Sequence, residues 1–349
     1  MCNDVRVNDL RTIRYYGGKT KLCDFITECM VKSGLEKGMS VLDAFTGTAI
    51  MAQKFKSIGM QTTANDHLYF CYALADAHLF FRKVPNFENL DLGVPVFDYL
   101  NKLVGKPDFI TRNYSPYEEC SRMYLTVENA MKVDVIRNKI ENWKRKNLIT
   151  IHEFNYLIAS LLYAINLVSN ITGTYGAYLK FWESRSQKTL IMKKIEITDN
   201  KMNNHAYNLD ASEVVKRKYD FIYLDPPYNS RSYFSNYFFL ELVAKGWYGT
   251  IPNPKGQTGI TKNIAIASEF SSRKTVIGAF HDLLSKANTP LLALSYNNEG
   301  LVDQEKVLDI LKNYGPVKIF EVEHKRYRSI NQSGNKAKTK ELLMIVRKK

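Results

Sequence analysis

The stretch Val41-Leu42-Asp43-Ala44-Phe45-Thr46-Gly47-Thr48-Ala49 decides the architecture. Val41 to Phe45 has the length and apolar character of a buried strand, and the small residues from Thr46 to Ala49 let the chain turn directly into a helix. That helix shows a stripe of Ile50, Met51, Phe55 and Ile58 and stops at Gly59. A short strand through Ala64 follows and ends at Asn65-Asp66. Upstream, Leu22, Phe25, Ile26, Cys29 and Met30 recur at helical spacing before Gly34. The segment therefore reads as a helix feeding a β-α-β unit.

Working outward, the character changes between about residues 70 and 200. Val133, Ile136, Ile140 and Trp143 mark one helix, and Phe154, Leu157, Ile158, Leu161, Leu162, Ile165 and Val168 mark another. A mainly helical lobe is predicted here, inserted into the α/β core. The alternation resumes with strands near 219–224, 290–295, 316–322 and 341–347, separated by helices near 232–246, 275–287 and 302–313. Such alternation predicts a mostly parallel sheet covered on both faces, with ligands at the carboxyl ends of its strands. The last two strands are joined by a loop without a helix, so the final strand is expected to run antiparallel. Residues 1–70 and 200–349 would then form the core, and 71–199 the insert.

The 349 residues carry 49 Lys and Arg against 35 Asp and Glu, a formal net charge of +14 that favours a polyanionic partner. The cysteines, Cys2, Cys23, Cys29, Cys71 and Cys120, show neither even pairing nor the spacing of a zinc site, so reduced thiols and no metal are expected. The segment Met1 to Leu10 lacks the apolar core of a signal peptide, and no continuous apolar run of about 18 residues is apparent. A cytoplasmic protein without a membrane partner is the expectation.

Asp43 to Ala49 places small residues where a ligand can approach the backbone. About 20 residues on, Asp66 ends the second strand, where a carboxylate can accept both hydroxyls of a ribose. The pattern Gly-x-Gly-x-x-Gly is absent, which favours a nucleoside cofactor lacking a pyrophosphate. S-adenosyl-L-methionine fits these features. Its carboxylate and ammonium are expected to meet Lys19, within Tyr15-Tyr16-Gly17-Gly18-Lys19, and Asp43 respectively.

Asp225-Pro226-Pro227-Tyr228 follows the apolar strand Phe221-Ile222-Tyr223-Leu224 directly. Two prolines remove two backbone donors and leave carbonyls directed beyond the strand. An exocyclic amine of a base is a poor nucleophile, because its lone pair is delocalised into the ring. Acceptance of both N–H bonds, by the Asp225 carboxylate and the Pro226 carbonyl, would favour a pyramidal nitrogen. Tyr228 offers a flat face for a base rotated out of its duplex.

These motifs together resemble the DNA adenine N6-methyltransferases in which the cofactor motifs precede Asp-Pro-Pro-Tyr, and the resemblance covers nearly the whole chain. Tyr15 to Lys19 is similar to the family's Trp-x-Gly-Gly-Lys, Asp43 to Ala49 to Asp-x-Phe-x-Gly-x-Gly, and Asn65-Asp66 to its ribose motif. Asp210, in Tyr207-Asn208-Leu209-Asp210-Ala211, resembles the contact to the cofactor's adenine. Tyr15 stands where tryptophan is usual, and Ala49 replaces the last glycine. The resemblance implies a Rossmann-like, seven-stranded α/β sheet with an antiparallel last strand. It also implies cofactor binding by Tyr15, Lys19, Asp43, Phe45, Gly47, Asp66 and Asp210, catalysis by Asp225, Pro226 and Tyr228, and a target recognition role for the insert.

Asn170-Ile171-Thr172-Gly173-Thr174-Tyr175-Gly176 and Asp225 through Tyr233 resemble a branch whose members accompany restriction endonucleases, so double-stranded DNA and a separate cognate endonuclease are the implied partners. Thr174 and Tyr175 are expected to read bases. Arg231 and the basic loop from His324 to Lys340, with Lys325, Arg326 and Arg328, are expected to touch DNA as well. N4-cytosine methylation, RNA adenine methylation and a silent binder of the same fold are the competing readings. The aspartate heading the Pro-Pro-Tyr motif favours adenine.

Overall fold

The structure is a computed structural model, and it describes residues 10–227, 232–249, 252–261, 268–298, 300–325 and 338–349. The core begins with α1 (Cys23–Lys32), β1 (Ser40–Asp43), α2 (Ile50–Ser57), β2 (Gln61–Asn65) and α3 (Tyr69–Leu79). Four helices follow: α4 (Val96–Lys102), α5 (Phe109–Tyr114), α6 (Val127–Arg145) and α7 (Ile151–Val168). The core resumes with β3 (His205–Tyr207), α8 (Ala211–Val214), β4 (Phe221–Leu224) and α9 (Tyr233–Lys245). It closes with α10 (Val276–Lys286), β5 (Leu291–Asn297), α11 (Gln304–Lys312), β6 (Val317–Lys325) and β7 (Lys338–Arg347).

The seven strands form one sheet in the order β3-β2-β1-β4-β5-β7-β6. β1 to β5 pair in parallel, and β7 runs antiparallel to both β5 and β6, so the last strand alone is reversed, as expected. The order turns back on itself between β1 and β4, and a doubly wound sheet opens a crevice at such a switch point. Asp43 ends β1 and Asp225 follows β4, so both stand at that crevice.

Alternation along each strand explains why the strand centres are apolar on both sides. Val41, Phe221, Tyr223, Leu291, Ala293, Leu343 and Ile345 face α1 and α2, while Leu42, Ile222, Leu224, Leu292, Leu294, Met344 and Val346 face α8, α10 and α11. A strand buried on both faces has no polar side to present.

The helices of the insert have recognisable starts. Thr126 caps α6 by accepting the Asn129 N–H, and Thr150 with Glu153 forms a reciprocal capping box at α7. α7 is long and apolar enough to cross a membrane by length and composition, but 78% of it is buried within this fold. It is the central helix of a packed insert. One hydrophobic cluster runs from Phe70 and Leu74 of α3 through α6 and α7 to Phe238 and Leu242 of α9. The insert thus shares its core with helices on either side of it, and a boundary at residue 70 falls inside α3.

Three features depart from the expected elements. β3 is only three residues long and carries no apolar signal, so it does not stand out in the sequence. β6 and β7 extend past the expected strands, pairing as far as Lys325 with Lys338. α9 is broken at Tyr237, whose φ of −129° and ψ of 15° interrupt the helix.

Candidate active site

A cavity of about 590 Å3 occupies the crevice, and its lining includes Tyr15, Lys19, Asp43, Phe45, Gly47, Asp66, Asp210, Asp225 and Phe270. The structure therefore brings together, around one space, nearly all the residues singled out for the cofactor and the amine. β1 supplies Asp43 at its end, β2 leads into Asp66, and β4 leads into Asp225.

Asp43 is buried and accepts the Thr46 hydroxyl at 2.7 Å through Oδ2, while Oδ1 has no hydrogen-bond partner among the described residues. Burial pushes its pKa up to about 7, the Thr46 hydrogen bond opposing this. A buried carboxylate oxygen without a donor is an open position for a cationic group.

Asp66 accepts the Gly47 N–H at 2.9 Å on one oxygen and the Leu68 N–H at 2.9 Å on the other. Burial raises its pKa to about 6 against these two bonds. The Gly47 amide is thus committed to Asp66 rather than open to a ligand. Gly47 lies at φ +52°, and a Cβ there would stand 3.1 Å from the Tyr15 ring. Its lack of a side chain is what allows turn and ring to meet. Ala49, in place of the family's glycine, adopts φ +62° at the start of α2.

Two asparagines from the quoted motifs, neither of them assigned a contact from the sequence, fix the rim. Asn65 donates to the Ala44 and Leu209 carbonyls and accepts the Leu209 N–H, and Asn208 donates to the carbonyls of Asp66 and His67. They hold the segment bearing Asp210 against the end of β2. Asp210 itself accepts the Ser212 N–H at 2.8 Å as the cap of α8. Phe45 meets Phe270 edge to face at 5.4 Å, closing the apolar side. Phe270 lies in a short turn whose sequence gives no hint of a site.

Tyr15 stacks on Tyr237 at 4.6 Å and lies 5.6 Å from Tyr233. The Tyr16 N–H donates to the Tyr237 hydroxyl, so the break in α9 coincides with its contact to the N-terminal motif.

Lys19 has two acidic neighbours that its sequence context does not announce. The side chain is 6% exposed and lines the cavity, and its ammonium lies 3.0 Å from Asp225 Oδ1 and 2.9 Å from Glu341 Oε1. Burial raises the Asp225 pKa to about 6; Lys19 opposes this and Glu341 adds to it. Pro226 is buried and Pro227 lines the cavity.

Tyr175 is also corrected. It is fully buried, stacked 5.3 Å from Phe239, with its hydroxyl 2.9 Å from that of Ser169 and its N–H on the Asn236 carbonyl. No face of that ring is open to a base. Thr174 is half-buried beside Gly176, where a Cβ would stand 3.5 Å from its hydroxyl and 3.3 Å from the Asn236 side chain. Tyr228, Arg231, Arg326 and Arg328 lie outside the described residues, and Lys325 is described only in its backbone pairing with Lys338.

Residues 15–270 match the model of the D12 class N6 adenine-specific DNA methyltransferases, and the chain belongs to that family. It is 38% identical to the type II methyltransferase M.FokI of Planomicrobium okeanokoites, over 91% of this chain and 50% of that protein. It is likewise 38% identical to the modification methylase StsI of Streptococcus sanguinis, over 97% of this chain and 52% of the other. The chain spans about half the length of these two relatives. With the type II methyltransferase M.NlaIII of Neisseria lactamica it shares 30% identity over 91% of this chain and 93% of that protein.

Proposed function

We propose that the protein is a site-specific DNA methyltransferase that modifies N6 of an adenine rotated out of double-stranded DNA, using S-adenosyl-L-methionine. One observation carries the reading. Asp43 and Asp225, at the ends of neighbouring strands, open into one cavity with Asp66, and Asp43 presents a buried oxygen that lacks a donor.

S-adenosyl-L-methionine, when bound, supplies an electrophilic methyl group on a sulfonium. Asp43 would hold its ammonium, Asp66 its ribose hydroxyls through lone pairs left beside the Gly47 and Leu68 bonds, and Asp210, Phe45 and Phe270 the surroundings of its adenine. The aspartates around the cavity, Asp43, Asp66, Asp210 and Asp225, also suit a ligand with two positive centres.

The chain's own part at the target is acceptance and alignment. Asp225, fixed at Oδ1 by Lys19, turns Oδ2 to one N–H of the amine, and the Pro226 carbonyl takes the other. Tyr228 provides the stacking face. With both N–H bonds held, the nitrogen lone pair is drawn out of the ring, and the carboxylate offsets the positive charge that develops there. Among DNA contacts, Thr174 and the insert read sequence, whereas Arg231 and the arm from Lys325 to Arg328 meet phosphates. The enzyme works in the cytoplasm and protects DNA against a separate companion endonuclease.

The test is to incubate purified protein with labelled S-adenosyl-L-methionine and unmodified DNA, then digest the product to nucleosides. Label on N6-methyladenine at a fixed sequence context is the expected result. Label on N4-methylcytosine, or on RNA in preference to DNA, would overturn it.

A further inference from the structure

The Lys19 ammonium sits between two acids, and only one of them belongs to the Asp-Pro-Pro-Tyr motif. The other, Glu341, comes from the start of β7, is 2% exposed, and accepts the Ser295 hydroxyl of β5 at 2.7 Å on the same oxygen that faces Lys19. Ser295 and Glu341 both lie beyond residues 15–270, which match the family. The sheet register explains the convergence. Asp43 pairs with Tyr223, Tyr223 with Ala293 and Ala293 with Ile345, so side chains two residues further towards the cavity, Asp225 and Ser295, remain on one face with Glu341. A reversed last strand is what allows its first residues to reach the cavity end of the sheet.

We propose that Glu341, oriented by Ser295, is a positioning residue for methyl transfer, holding Lys19 midway so that Asp225 keeps its orientation and is not masked by a fully closed ammonium. This rests on the reading that Asp225 accepts the target amine. The physical need is specific. A buried lysine with one carboxylate partner would close fully upon it and cancel the charge the amine requires. A second, fixed carboxylate divides the ammonium between two acceptors and holds it in place. Among the described residues, the titratable groups facing Asp225 are Lys19, Glu341, Tyr223 and Asp43. Of these, Glu341 is the one whose removal takes away a like charge and also releases Lys19 towards Asp225. Both effects favour the ionised form of Asp225.

Glu341→Gln preserves the volume and an acceptor for Ser295 while removing the charge, and Glu341→Asp restores the charge on a shorter arm. Transfer of labelled methyl groups to unmodified DNA is measured from about pH 5 to about pH 9 for both variants and the wild type. Cofactor affinity by calorimetry and Tm are measured alongside. For Glu341→Gln the expected result is a kcat lowered about tenfold, cofactor Kd within about twofold, and an acidic limb of the rate profile moved down by about half a pH unit. Glu341→Asp should recover part of the rate and return the limb towards the wild-type position. A kcat within about twofold of wild type overturns the proposal, as does a loss that tracks a lowered Tm with the limb unmoved. A wild-type protein that labels no adenine overturns this proposal and the functional reading together. An active wild type with an unmoved limb overturns this proposal alone.

Discussion

The two ends of the cavity both present aspartates, yet hold them by different means. At the β1–β2 end, Asp43 and Asp66 are fixed by neutral donors, a threonine hydroxyl and the amides of Gly47 and Leu68. At the β4 end, Asp225 is held by a lysine shared with Glu341. Neutral donors orient a carboxylate while leaving its charge for a cationic ligand. A shared ammonium balances the charge and tunes it, which suits a group that must meet a neutral amine and stabilise a cation only as it forms. The same residue type is thus given two tasks by its partners.

Asp225 is where the two ends should differ most. Asp225→Ala should lower methyl transfer by about a thousandfold or more, as expected for loss of a group acting on the reacting atom. Rates within about tenfold of wild type would remove Asp225 from the reaction. Asp66→Ala should act at the other end, weakening the cofactor by ~1–3 kcal/mol in calorimetry. An unchanged Kd would show that its two backbone bonds are its whole role.

The charge state of Asp43 adds a pH dependence to the contrast. Its folded pKa of about 7 lies above the ordinary 3.8, so its contribution to stability is full below about pH 4 and is lost as pH rises through about 7. Asp43→Asn should therefore raise the Tm of the ligand-free protein at pH about 8, change it little near pH about 4, and weaken cofactor binding above pH about 7. A Tm difference of the same size at both pH values would contradict this. Tyr175→Phe should lose one hydroxyl bond, ~0.5–1.5 kcal/mol of stability, and leave discrimination between DNA sequences unchanged. A fall in discrimination would mean the ring leaves its pocket when DNA binds.

The smallest effect concerns the departure from the family's glycine. Ala49→Gly removes a left-handed alanine, a relief of ~1–2 kcal/mol. It also gives up a buried methyl and adds backbone freedom, together of similar size. Chemical denaturation should show a change within ~1 kcal/mol. A larger loss would show that the methyl's packing with Ala52, Ala64 and Ala75 outweighs the strain of the left-handed backbone.

Those effects also mark what was legible in the sequence. β4 is apolar throughout and β1 and β5 have apolar centres because both faces are covered, so the sheet and the acids at its ends could be read directly. β3 could not, since one exposed and two half-buried residues bury too little to leave a pattern. The extra length of β6 and β7 was hidden because charged residues such as Glu323 and Lys340 pair through their backbones, which side-chain character does not report. The motif residues Tyr15, Lys19, Asp43, Asp66 and Asp225 line one cavity, but partners contributed from distant strands were not visible. Glu341 opens an apolar strand behind a basic loop, and nothing local marks it as a partner of Lys19. Tyr175 read as a surface aromatic because a loop sequence does not disclose that it folds onto α9.

The separation of a cofactor end from an amine end is tested most directly by calorimetry of S-adenosyl-L-methionine binding to Asp225→Ala. The expected Kd lies within about twofold of wild type in a protein that no longer transfers methyl groups. A Kd weakened as far as in Asp66→Ala would place Asp225 among the cofactor ligands and contradict the division.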